Sequence, residues 1–233
     1  MTAARTVGSS ARPAPAPRVP ESDGAILDRA HAEAYDRMQE ALREKGWLET
    51  RDLLHGGIDR GCALEIGSGP GHLGLEWLQR TVDTRLVGLD RSPDMVLIAG
   101  RHAREQGLRN RARHLIGLGE AVPFPDGTFD SVFSSRSLHE WIDPGTIFTE
   151  LWRALKPGGR LFLSDLRRDL SPSARTFLEQ RMPSERLREG LRASIEAAYT
   201  VREVTALLHE TDFVRCEIIE TPLGLQVTGN KPA

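Results

Sequence analysis

Ala63-Leu64-Glu65-Ile66-Gly67-Ser68-Gly69-Pro70-Gly71 sets a short apolar run directly against three glycines at alternate positions. The run, opened by Cys62, reads as a buried strand. The glycines let the chain turn tightly and bring backbone close to a ligand where a Cβ would clash. His72–Gln79 continues at helical spacing, so the unit is strand, turn, helix. In an open α/β sheet, ligands lie outside the carboxyl ends of the strands, beside such a turn.

The alternation repeats outward from this unit. Arg85–Leu89, Ala112–Ile116, Ser131–Ser134 and Arg160–Leu163 read as further strands, with Pro93–Glu105 and Thr146–Leu155 as helices between them. Parallel strands need crossovers, and right-handed crossovers cover both faces of a sheet. The expected fold is therefore α/β: a doubly wound, mostly parallel, seven-stranded sheet, closed by a hairpin over Phe213–Ile219 and Leu223–Thr228.

Three further regions flank that core, taken as residues 58–233. Residues 1–22 read as a disordered tail, because the first 20 hold four prolines, three arginines and no acid. Residues 23–57 read as an N-terminal helical lid. One helix runs from Ser22 or Asp23 to about Lys45 with Asp23 as cap, and a second over Trp47–Leu54 stops at Gly56-Gly57. A charged helical stretch over 171–198 forms a cap, about 167–199, inserted after the fifth strand, and Val201–His209 is another helix.

Composition narrows the function classes. The 233 residues suffice for one α/β domain with a modest cap. A net charge of −2 provides no general field for nucleic acid or an anionic membrane. No apolar stretch approaches the roughly 20 residues that span a bilayer. Cys62 and Cys216 lack metal-ligand spacing. The expectation is a cytoplasmic monomer or homodimer that takes a small molecule, with no nucleic acid, membrane or metal.

On the loop alone two cofactors compete. Gly69-Pro70-Gly71-His72-Leu73-Gly74 also fits the G-x-G-x-x-G pattern, and Asp90 follows about 20 residues on, as in an NAD(P)-dependent oxidoreductase. Three features decide against it. Glu65 precedes the glycines, where an anion suits a cationic ligand better than a pyrophosphate. Pro123-Phe124-Pro125-Asp126-Gly127-Thr128-Phe129-Asp130 turns into the fourth strand, and Leu155-Lys156-Pro157-Gly158-Gly159 leaves a helix to re-enter the sheet.

Together these motifs resemble the class I S-adenosylmethionine-dependent methyltransferases, in particular the small-molecule group that includes quinone-biosynthesis C-methyltransferases. The resemblance runs from about Tyr35 to Lys231. It implies S-adenosylmethionine as cofactor and S-adenosylhomocysteine as product. It places Glu65 and the Gly67, Ser68, Gly69, Gly71 loop against the methionyl part. Asp90, with Arg91 beside it, meets the ribose hydroxyls, Met95 packs on the adenine face, and Ser134 and Ser135 line the amino-acid end. Tyr35 either closes over the cofactor or is a core aromatic of its helix. Where relatives carry an acid for the adenine amino group, this chain has Leu118, which cannot accept a hydrogen bond. The backbone of Gly119 or the side chain of Glu120 is left to serve.

Methyl transfer needs a base only if the acceptor holds its proton. His139 is the first candidate, because an unperturbed imidazole titrates near neutrality, and Glu140 is the second. The same residues also read as a Leu-His pair that merely shapes the loop. Arg167, Arg168, Arg175, Arg181, Arg186, Arg188 and Arg192 in the cap read either as a solvated face or as a grip on an anionic acceptor. A catalytically inactive cofactor-binding partner subunit is the non-enzymatic alternative.

Overall fold

Seven strands build one sheet: β1 (Cys62–Ile66), β2 (Arg85–Asp90), β3 (Ala112–Ile116), β4 (Phe129–Ser135), β5 (Leu155–Asp165), β6 (Glu217–Thr221) and β7 (Gly224–Asn230). The computed structural model describes residues 16–21, 28–213 and 215–233. The strand order is β3-β2-β1-β4-β5-β7-β6. β1 to β5 pair in parallel, while β7 runs antiparallel to both β5 and β6. The chain thus starts in the middle of the sheet, winds out to β3, then crosses back to β4. That reversal opens a crevice at the carboxyl ends of β1 and β4.

Helices α1 (Arg29–Glu44), α2 (Thr50–His55), α3 (His72–Arg80), α4 (Pro93–Glu105), α5 (Pro144–Ala154), α6 (Pro172–Glu179), α7 (Glu185–Ala197) and α8 (Val201–His209) surround it. One sheet face packs Leu73, Leu75, Trp77 and Leu78 of α3 with Phe133 and Phe162. The other packs Phe148 and Leu151 of α5 with Val204, Leu208 and Phe213. Burial on both faces is why β1 reads as a continuous apolar run rather than an alternating one. Trp77 is fully buried, and its Nε1 donates to the Ile58 carbonyl at 2.7 Å, so its one polar atom is satisfied.

Several boundaries differ from the sequence reading, each for a local reason. α1 begins at Arg29 because the Asp28 carboxylate accepts from the His31 N–H at 2.7 Å. Asp23, the expected cap, lies outside the described residues. The single helix expected over 171–198 is two, α6 and α7. Pro183 cannot continue a helix, and the Ser184 hydroxyl caps the second. β5 starts at Leu155, directly after α5, so Leu155–Gly159 already belongs to the strand. The expected disordered tail needs the largest correction. Residues 1–15 lie outside the described residues, but 16–21 are strapped onto the cap. Arg18 donates to the carbonyls of Ala197 and His139, its guanidinium stacks 4.3 Å from the Tyr199 ring centre, and the Val19 N–H bonds Glu196. Proline fixes the extended backbone that makes these contacts affordable.

Candidate active site

The carboxyl ends of β1, β2, β4 and β5 face a cavity of about 410 Å³, roofed by α1, α7 and the 16–21 strap. That volume falls in the range of about 300–1,000 Å³ typical of small-molecule sites.

The glycine loop forms its floor. Gly67 has φ +65°, and a Cβ there would collide with the Ser137 hydroxyl. Ser137 Oγ in turn accepts from Trp141 Nε1 at 3.0 Å, so the turn after β4 rests on the bare Gly67 backbone. Gly67→Ala should therefore destabilise the protein by roughly 1–3 kcal/mol from backbone strain and a similar amount from overpacking. An unchanged thermal midpoint in this variant would show that the loop does not hold this conformation.

Asp90 ends β2 against the same loop. Its Oδ2 accepts from the Gly69 N–H at 2.7 Å and its Oδ1 from the Ser92 N–H at 2.9 Å. Burial pushes its carboxyl up, and the two amides pull it back. Each oxygen keeps a lone pair, so the carboxylate can still receive two adjacent donors from the cavity. Glu65 lies one layer behind. Gly74 approaches it so closely that a Cβ would strike Glu65 Oε2, and that oxygen has no hydrogen-bond partner. Burial first, and then the Asp90 charge, raise the Glu65 carboxyl well above its usual range.

Of the residues singled out in the sequence, Tyr35, Gly67, Gly69, Asp90, Arg91, Met95, Ser135, His139 and Glu140 line the cavity. Glu65, Ser68, Gly71 and Ser134 are not on its wall. Ser134 Oγ donates to the Ile66 carbonyl at 2.8 Å and ties β4 to β1, while Gly71 caps α3 with φ +84°. Leu118, Gly119 and Glu120 are not on the wall either. Leu118 is 54% exposed, and Gly119 backs onto Ile147. Ser92, Pro93 and Asp94, next to Asp90 in sequence, are on the wall.

The lid helix is anchored next to the glycine loop. Asp36 meets His72 Nε2 at 2.7 Å and His102 Nε2 at 3.5 Å, and His102 Nδ1 bonds the Pro70 carbonyl at 2.9 Å. The two imidazoles overcome burial and hold the Asp36 carboxyl well below its usual range. The neighbouring Tyr35 is thereby held over the loop. Its hydroxyl accepts from Gln39 Nε2 at 2.8 Å, and burial raises the phenol to about 12.

Opposite the lid, a single 3₁₀ turn (Leu138–Glu140) presents His139, which is 4% exposed. Its Nδ1 donates to Asp165 Oδ1 at 2.8 Å. Asp165 also accepts the backbone N–H of His139 at 2.6 Å and of Leu166 at 2.7 Å. Burial alone would lower the imidazole. The Asp165 charge and hydrogen bond, aided by Glu140 and Glu21, reverse this and raise it to about 9. Glu140 is pushed up to about 7 by burial, with Glu21, Asp90 and Asp165 adding to it and His139 opposing. His139 Nε2 faces Glu21 Oε2 at 3.7 Å and Glu140 Oε1 at 3.9 Å.

The cap supplies Met182, Leu187, Leu191 and Ser194 to the wall, with Leu166 beside them. Its arginines face elsewhere. Arg167 pairs with Asp169 and Glu220, Arg168 with Glu203, Arg186 with Asp28, Arg188 with Glu185, and Arg192 with Glu179 and Glu185. Arg181 stacks on Phe177. Among the described residues, no arginine of the cap lines the cavity. Asp165 carried a legible signal, an acid ending a strand as Asp90 does. Glu21 carried none, since it lies in an extended segment without periodicity.

Residues 64–163 match the methyltransferase-domain family. Over 98 residues the chain is 39% identical to the demethylmenaquinone methyltransferase of Thermus thermophilus, covering 42% of this chain and 44% of that one. The chain spans about half the length of the curated relatives it matches. A SAM-dependent methyltransferase from Aquifex aeolicus superposes with a TM-score of 0.68 at 20% identity, over 88% of this chain and 98% of that one. Geranyl diphosphate C-methyltransferase from Streptomyces coelicolor, solved with S-adenosyl-L-homocysteine, superposes with a TM-score of 0.65 at 17% identity, over 92% and 86%. These likenesses establish the fold. Among the described residues, no helix is long and apolar enough to cross a membrane.

Proposed function

We propose that this chain is a class I S-adenosylmethionine-dependent methyltransferase that binds its cofactor across Asp90 and transfers the methyl group to a small molecule under the cap, a reading supported by the methyltransferase-domain match, the relatives and the fold. The observation that carries the reading is Asp90. It is a buried carboxylate on the cavity wall, braced by two backbone amides beside the left-handed glycine loop, with acceptor capacity to spare. Such a group suits a ribose diol. The four acids on the wall, Glu21, Asp90, Asp94 and Glu140, outnumber Arg91, Arg136 and the protonated His139, which suits a sulfonium and opposes a dinucleotide pyrophosphate. When bound, the cofactor supplies a methyl group already activated on sulfur.

The chain's own residues then have three tasks. Gly67, Gly69 and Ser135 position the amino-acid end, and Met95 and Pro93 pack the opposite end. Tyr35 on the anchored lid excludes water, and excluding water strengthens every charge inside. Proton transfer, where the acceptor needs it, falls to Glu140 rather than His139, because an imidazole raised to about 9 already holds its proton at neutral pH. An anionic acceptor, expected from the cap arginines, finds none of them in reach. The wall cations are Arg91, Arg136 and His139, of which Arg136 lies 3.7 Å from Glu49 and His139 bonds Asp165. We place the enzyme in the cytoplasm.

Incubation of metabolite extracts with methyl-labelled cofactor, read by mass spectrometry, tests this directly. Enzyme-dependent labelled product with matching S-adenosylhomocysteine release is expected. Cofactor binding without any labelled product would favour the inactive-subunit reading.

A further inference from the structure

We propose that the acceptor is an amine, recognised as its ammonium by Glu21 and Glu140 beneath the cap. This rests on the methyltransferase reading for the role of the cavity, but not for the binding chemistry.

Glu21 is the decisive residue. Its side chain is 8% exposed and lines the cavity, although it comes from the extended strap rather than the core. Oε1 accepts from Ser194 Oγ at 3.2 Å, whereas Oε2 is buried without a hydrogen-bond partner. A bare buried carboxylate oxygen is costly unless a donor or a cation completes it. Glu140 lies close by, and one atom each of Glu21, His139 and Glu140 fall within 4.8 Å of one another. A nitrogen between two oxygens that far apart can reach both at about 2.8 Å, the length of a charge-assisted N–H···O bond.

The surrounding charges favour a cation there. His139 Nε2 sits near Glu21 and Glu140 while its Nδ1 is held by Asp165, so the cluster sets three acids, Glu21, Glu140 and Asp165, against one imidazolium. Arg18 contacts His139 only through the carbonyl, from outside the cavity. Arg167, Arg168, Arg186, Arg188 and Arg192 of the cap are committed to acids and Arg181 to a ring, all away from the wall. The rest of the subsite is apolar, formed by Met182, Leu187, Leu191 and Leu166. An ammonium on a short apolar stem matches both halves. A carboxylate or phosphate would meet two acids and an imidazolium that Asp165 already engages.

The test is calorimetry on the full chain saturated with S-adenosylhomocysteine, using n-butylamine, n-hexylamine and phenethylamine, each against the alcohol and carboxylic acid of the same skeleton. Each amine should bind at least ten-fold tighter than its alcohol and acid. Glu21→Gln and Glu140→Gln should each weaken the amine about ten-fold. Binding at pH 7 should release protons from Glu140, seen as a buffer-dependent heat that Glu140→Gln removes. The inference is overturned if acids or alcohols bind as well as amines, or if amine affinity survives both substitutions. Should a variant fail to fold, the wild-type ranking alone still decides. S-adenosylhomocysteine affinity, measured first in the same cell, reports on the methyltransferase reading separately. If it is absent, the amine series on the ligand-free protein still judges the subsite.

Discussion

Asp90→Ala should abolish useful cofactor affinity. Two charge-assisted hydrogen bonds to a ribose diol are each worth about 1.5–3 kcal/mol, so their joint loss predicts a fall of roughly 10²–10⁴-fold. The same substitution frees the N–H groups of Gly69 and Ser92, which now converge on this carboxylate, so the loop itself should loosen. Asp90→Asn separates the two effects. It preserves shape and one acceptor oxygen but removes the charge, and should fall between wild type and Asp90→Ala. Titration calorimetry with S-adenosylhomocysteine reads all three proteins, with NAD and NADP as controls. Affinity within three-fold of wild type in Asp90→Ala would remove Asp90 from the cofactor site, and tight NAD binding by the wild type would overturn the proposed function itself.

How much of this was readable from sequence depends on whether a residue's partners are local. The strand before Gly67, the acid closing β2 and the Ser92 cap of α4 are set by neighbours within a few positions. Periodicity and turn chemistry reveal the strand and the acid, while the Ser92 cap emerges only in the structure. Met95 is named only through the family resemblance, and in the structure its N–H bonds the Ser92 hydroxyl at 3.4 Å. The acceptor side could not be read this way. Glu21 reaches Ser194 across 173 positions, and Arg18 reaches Ala197 across 179, contacts that leave no spacing to detect. The cap arginines read either as a solvated face or as a grip on an anion, and which acids they meet is local in part, as for Glu185 with Arg188, and long-range in part, as for Glu203 with Arg168 and Glu220 with Arg167. Leu118 is 54% exposed and off the cavity wall, whereas Ser92, Pro93 and Asp94 are on it, a difference that only the folded chain decides.

Asp165→Asn should be the most damaging conservative change at the acceptor end, and its effect should depend on pH. In the native protein the folded His139 pKa of about 9 lies above its unfolded value near 6.5. A group raised in this direction contributes stability that is complete below about pH 6.5 and is lost as pH climbs through 9. Glu140 is also raised, to about 7, so its contribution fades over a lower window, from roughly 4.5 to 7, and the interval between 7 and 9 belongs to His139. Replacing Asp165 with Asn removes the charge that outweighs burial. The imidazole should then titrate below its ordinary value, and the decline in stability between pH 7 and 9 should flatten. Removing one partner of a buried pair costs about 3–5 kcal/mol, so the loss at pH 6.5 should be on that scale and smaller at pH 9. Chemical denaturation at pH 6.5, 8 and 9.5, with His139 followed by NMR, measures both quantities. If Asp165→Asn loses the same stability at every pH, the charge pair is not what holds this turn. The turn would then owe its place to the two backbone N–H bonds that Asp165 accepts from His139 and Leu166, bonds an asparagine oxygen can only partly replace.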